Sequence, residues 1–193
     1  MRCMDLHLTG DPQADALLSR DPLALLLGML LDQQMTMEAA FAGPRKLTER
    51  IGDLDAAAIA AMDPEEFTRL CSTPPAVHRY PGSMAGRIQA VCAVIATEYD
   101  GDAAALWTAG APDGPEVLRR LRALPGFGEQ KAKIFLALLG KQRGLSAPGW
   151  RAAAGGYGEE GTYRSAADVV DPASLAKVRE YKKAAKAAAR AAK

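Results

Sequence analysis

The chain has 193 residues, of which 49% are hydrophobic, and a formal net charge of +1. That length suits one domain or two small interlocked lobes around a real core, and the near-zero balance excludes a polyanion binder that works by bulk charge. The three cysteines, Cys3, Cys71 and Cys92, are too scattered for a zinc or iron–sulfur ligand pair or a disulfide framework, which suits a reducing compartment.

Helical signals follow one another along the chain. The opening "MRCMDLHLTG" lacks the apolar core of a signal segment. "DPQADALLSR" places acid early and arginine late, matching the helix dipole. "DPLALLLGMLL" begins with an Asp cap and a first-turn proline. Its apolar run, Leu23 to Leu31, is far too short for a membrane span and predicts a central buried helix. "TMEAAFAGPRKLTERIG" predicts an amphipathic helix interrupted near Gly43-Pro44 and stopped at Gly52. "DLDAAAIAAM" and "DPEEFTRLCS" are short capped helices, and "STPPAVHRYPGS" is a loop. "SMAGRIQAVCAVIATEYDGD" is a long helix with a Ser cap. "DGPEVLRRLRAL" and "GEQKAKIFLALLGKQRG" are two more, joined by a short turn. Gly144 to Ser165 is Gly-rich, carries Trp150, Tyr157 and Tyr163, and predicts a long loop. "VDPASLAKVREYKKAAKAAARAAK" is a last helix. From Lys177 to Lys193 it holds seven Lys or Arg against one acid, Glu180, either a phosphate-binding tail or a solvated helix face. Alternating strand patterns are scarce. The expected fold class is all-α, one unit over residues 1–193, soluble and intracellular.

The turn Leu124-Pro125-Gly126-Phe127-Gly128 holds the most chemistry. Pro125 fixes one φ and lacks an N–H, and the two glycines admit φ > 0 and close approach of another backbone. The next helix starts near Glu129 with N–H groups that have no partner inside the helix. Arg119, Arg120, Arg122, Lys131 and Lys133 flank the turn. Two readings stay open on spacing alone: a plain αα-turn packed through its glycines, or a turn whose amides hold a DNA phosphate without reading sequence.

The segment Leu124-Pro125-Gly126-Phe127-Gly128, followed by Ala132 and an apolar helix, resembles the hairpin of the helix-hairpin-helix (HhH-GPD) base excision DNA repair glycosylases. Upstream, "LLLGMLLDQQMTMEAA" resembles that family's apolar helix and Ser-Gln-Gln-like turn, here Asp32-Gln33-Gln34-Met35-Thr36. "HRYPGSMAGRIQAVCAVIATEYDGD" resembles the segment leading into its long helix. The likeness spans residues 22–145, leaving 146–165 as the Gly-rich loop and 166–193 as a basic helix packing with the N-terminal helices.

The resemblance implies a two-lobed helical fold and duplex DNA as partner. A hairpin of Leu124, Pro125, Gly126, Phe127, Gly128, Gln130 and Lys131 would grip the backbone. Family hairpins often hold a monovalent cation on their carbonyls, and the same is implied here, with no metal held by side chains and no iron–sulfur cluster. The target nucleotide is rotated out of the duplex, and Gln33 and Gln34, above all Gln34, would fill the gap. Trp150, Tyr157 and Tyr163 are candidates for stacking on the extruded base, or for covering the core. His78 and Arg79 are further candidates for phosphate contact.

The chain departs from the family pattern at three positions. The family's catalytic aspartate lies about twenty residues past the hairpin, yet Gly140 to Gly158 contains no Asp or Glu. The lysine that some members use as a Schiff base is Gln130 here, and Lys131 is turned about 100° away. Asp32, where the family has a small residue, is the candidate replacement acid. Its other reading is an N-cap for a helix starting near Met35. Glu129, Glu159, Glu160 and Asp168 read as first-turn or solvated charges. The expectation is a monomeric, cytoplasmic, nucleoid-associated DNA glycosylase without lyase activity. The alternative is a non-catalytic DNA-binding or lesion-sensing protein of the same fold.

Overall fold

The computed structural model describes residues 5–191, so Cys3 and Lys193 lie outside the described residues. Its helices are α1 Pro12–Arg20, α2 Pro22–Leu31, α3 Met37–Phe41, α4 Gly43–Ile51, α5 Ala56–Ala61, α6 Pro64–Ser72, α7 Pro81–Glu98, α8 Ala105–Thr108, α9 Gly114–Ala123, α10 Glu129–Gln142, α11 Trp150–Ala154 and α12 Pro172–Ala191. Two 3-10 turns, Gly155–Gly158 and Ala166–Asp168, precede α12. The described residues contain no strand, and none of their helices is long and apolar enough to cross a membrane.

Helix starts follow their caps. Asp11, Asp21, Asp55, Asp63 and Asp113 each accept backbone N–H bonds in the first turn of the helix that follows, as short carboxylates at N-cap positions do. Every residue of α2 from Leu23 to Leu31 is buried. The helix has no solvent face, so it sits in the middle of the molecule with neighbours all round. α5 and α6 pack along α7, while α9, α10 and α11 pack on one another.

The interruption near Gly43-Pro44 is present and divides α3 from α4, with Gly52 closing α4 as expected. Two other expectations change. α7 starts at Pro81, two residues before the expected Ser83 cap, with no side-chain cap bond. The Gly144–Ser165 stretch is not a bare loop. It holds α11 and a 3-10 turn, because Trp150 has a place to be buried: a Cβ on Gly140 would stand 2.4 Å from the Trp150 ring. Only a glycine lets α10 come this close to the indole.

Candidate nucleic-acid interface

The hairpin is α9, the 124–128 turn and α10. Leu124 and Phe127 face inward, 3% and 4% exposed, with Phe127 edge-on to Phe135 at 6.2 Å. Gly126, Gly128, Glu129 and Gln130 are exposed. Gly126 has φ +79, and a Cβ there would meet Leu30 Cδ1 at 2.8 Å, so the tip of the turn rests on the end of α2. The two glycines differ. Gly128 has φ −73 and serves as the N-cap of α10, where no side chain caps the helix and a Cβ would meet nothing within 4 Å. The first-turn amides of α10 therefore face open space with their partial positive charge.

Most of the flanking cations are engaged. Arg119 and Arg120 bind Glu116 at 2.7 and 2.9 Å. Their hydrogen bonds, that of Arg119 first, hold the Glu116 carboxyl down to about 2. Lys133 pairs with Glu129 at 2.7 Å. Arg122 is exposed and, among the described residues, makes no ion pair.

Neighbouring positions on α10 diverge as helix geometry requires. Gln130 Nε2 donates to the Tyr157 hydroxyl at 2.9 Å. Lys131 turns the other way: its Nζ donates to the Leu30 carbonyl at 2.7 Å and reaches Gln33 Oε1 at 3.5 Å. It thus closes the C-terminal end of α2, where carbonyls lack partners. Burial pulls its ammonium down to about 8, opposed by the nearby Asp32 charge.

The Gln-Gln turn is held from several sides. Gln33 donates to Met84 Sδ at 3.0 Å, and its carbonyl lies 2.9 Å from His78 Nε2. His78 Nδ1 accepts the Tyr80 N–H at 2.9 Å. The imidazole therefore carries its proton on Nε2, and this 3%-exposed ring bridges the 73–80 loop to the turn. His78 has a structural contact rather than a free face for phosphate. Gln34 is exposed with φ +56, a left-handed conformation that a non-glycine residue adopts at some strain. Gln33 and Gln34 line a cavity of ≈ 440 Å³ with His78, Arg79, Tyr80 and Arg87. Tyr80 is 45% exposed beneath the Arg79 guanidinium. The sequence reading missed Tyr80 and Arg87. Their only signal was position, either side of the "PGSMAG" start of α7.

Asp32 is not an N-cap. It closes α2, and Thr36 caps α3 instead. Its side chain is 11% exposed and lies 3.5 Å from Lys182 of α12. The stacking expectation for Trp150 is also corrected. The ring is in the core, 9% exposed, under Arg151 at 4.5 Å, and offers no face to a base. Tyr157 is half-buried against the core with its hydroxyl on Gln130. Tyr163 is exposed under Lys177. Asp168 is no solvated charge: its side chain is 3% exposed and pairs with Lys141 at 2.5 Å. The carboxylate also accepts the Arg164 and Ser165 N–H groups. The signal was Ser165-x-x-Asp168, a capping box.

The structure thus brings together the hairpin tip, Lys131, Asp32, Gln33 and Gln34, with Tyr80 and Arg87 on the rim. It leaves Trp150 apart. Among the described residues no three His, Cys, Asp or Glu side chains converge as metal ligands. A protein-family model described as HhH-GPD superfamily base excision DNA repair protein matches residues 27–191. Comparisons with curated proteins and with solved structures return no match.

Proposed function

The chain belongs to the HhH-GPD superfamily of base excision DNA repair proteins, and from that premise we propose that it grips duplex DNA with the 124–128 turn and holds the opened duplex with Gln34. The observation that carries this reading is the physical join between the two motifs. Gly126 rests on Leu30, and Lys131 bonds the Leu30 carbonyl and approaches Gln33. A phosphate on the α10 amides is then at a set position relative to the Gln34 side chain.

The proposed reaction is hydrolysis of a damaged base. The N-glycosidic bond breaks, the base leaves with its electron pair and is protonated, and water adds its hydroxyl to the sugar carbon. Asp32 would stabilise the cationic sugar or take the proton of that water. No strand cleavage is expected, since Gln130 stands at the Schiff-base position. A monovalent cation on hairpin carbonyls fits the donor set. The Leu124 carbonyl accepts the Phe127 N–H and the Gly128 carbonyl accepts the Ala132 N–H, so the carbonyls between them are the ones that would hold the ion. The protein would act as a monomer in the nucleoid.

The second reading is a lesion sensor that binds without cutting. Its support is the Asp32–Lys182 contact, which neutralises the candidate acid. Release of free base from a panel of lesion-containing duplexes separates the two. Glycosylase action predicts release by the wild type and a loss of about a hundredfold or more in Asp32→Asn. Binding with no release at enzyme excess leaves the sensor reading.

A further inference from the structure

α12 has two halves with different surroundings. In the first, Ser174, Leu175 and Val178 are buried. Arg179 binds Glu38 on α3, and Lys182 approaches Asp32 at 3.5 Å. These successive pairs run the helix from α3 toward the Gln33–Gln34 turn. In the second half, every residue from 183 to 191 is exposed. Nine residues extend about 13 Å at the rise of an α-helix.

That extension buries no apolar face, so packing does not explain it. Its alanines and lysines are strong helix formers and hold the form by propensity. At 100° per residue, Arg179, Lys182, Lys183, Lys186 and Arg190 fall within about 100° of the circumference. The first two already point at the residues beside the Gln-Gln turn. Lys183, Lys186 and Arg190 continue the same face and, among the described residues, enter no ion pair. The stripe is thus aimed by two anchoring pairs and left open beyond them.

We infer that the 183–191 arm of α12 is a second DNA contact, separate from the hairpin, that lies along the phosphates flanking the site at Gln34. The inference rests on the proposed duplex binding. The arm holds no base-reading geometry, and its cations would neutralise consecutive phosphates whatever the sequence. A bare +1 net charge conceals this surface, because the compensating acids lie elsewhere on the chain.

The test is the salt dependence of affinity of the full chain for an undamaged fluorescent duplex, on a long and a trimmed duplex. The variant is Lys183→Gln/Lys186→Gln/Arg190→Gln, in which glutamine preserves helix propensity. Lys177→Gln is the control, since Lys177 stacks on Tyr163 on the opposite face of α12. The arm predicts that the slope of log K against log salt falls by roughly 2 to 3 in the triple variant. Its affinity drops at least tenfold at about 0.1 M salt, and it loses the wild type's preference for the longer duplex. The control keeps the wild-type slope. An unchanged slope in the triple variant, with Gly128→Ala still weakening binding, overturns the arm and spares the hairpin. A wild type that binds no duplex overturns the functional reading itself.

Discussion

At the scale of single residues, the two motifs have different requirements. Gln34 sits at φ +56 with its side chain exposed. Strain of this kind concentrates at functional sites, where the surrounding structure holds it in place. Gln34→Gly is expected to stabilise the protein by about 1 kcal/mol in urea unfolding, by relieving that strain. It is expected to weaken binding to lesion duplexes by losing the amide. Gly128 is the opposite case. Its φ of −73 suits any residue and its Cβ direction is open, so Gly128→Ala should change stability by less than about 0.5 kcal/mol. A methyl placed beside the α10 amides should nevertheless cut DNA affinity about tenfold, read by fluorescence anisotropy. Unchanged affinity would show that no phosphate comes there. Gly126→Ala is a poorer probe, because its positive φ and the Leu30 contact make it unfavourable for folding as well.

At the scale of elements, the segment after the hairpin is held by a buried indole and a buried ion pair. The stretch from Gly140 to Gly158 has no acid, and Trp150 fills the space against Gly140. The buried carboxylate that follows, Asp168, is taken by Lys141 and two backbone amides. Removing one member of a buried pair leaves the other charged and desolvated. Asp168→Asn is therefore expected to destabilise the protein by about 3 kcal/mol in denaturant unfolding, with DNA affinity per folded molecule unchanged. A loss below about 1 kcal/mol would mean that the pair is not holding α10 to the 3-10 turn before α12.

At the scale of the whole molecule, Lys131 joins halves of the chain 101 residues apart. Burial lowers its ammonium from 10.5 to about 8. Between those values the unfolded chain keeps a proton that the folded protein has released. Stability from this group therefore rises with pH across the window from about 8 to 10.5. The unfolding free energy of the wild type relative to Lys131→Met should climb through that range and be flat below it. A flat difference throughout would mean that the amine is solvated and the join between hairpin and Gln-Gln turn is loose.

The sequence by itself determined the helices other than the short α8 and α11, the Asp-Pro helix starts, the hairpin turn and the Asp32-Gln33-Gln34 segment. These depend on local spacing, on φ values that glycine and proline permit, and on N–H groups at helix starts. It also separated Gln130 from Lys131, since one residue on a helix is a rotation of about 100°. Only the tertiary structure decided what each side chain meets. Trp150 went inward because Gly140 leaves room for it. Asp168 was buried because Lys141 is there to pair with it. Asp32 closes α2 within reach of Lys182, and Lys131 reaches Leu30 rather than solvent. Burial and pairing are set by partners far away in the chain, and no local pattern encodes which distant residue will arrive.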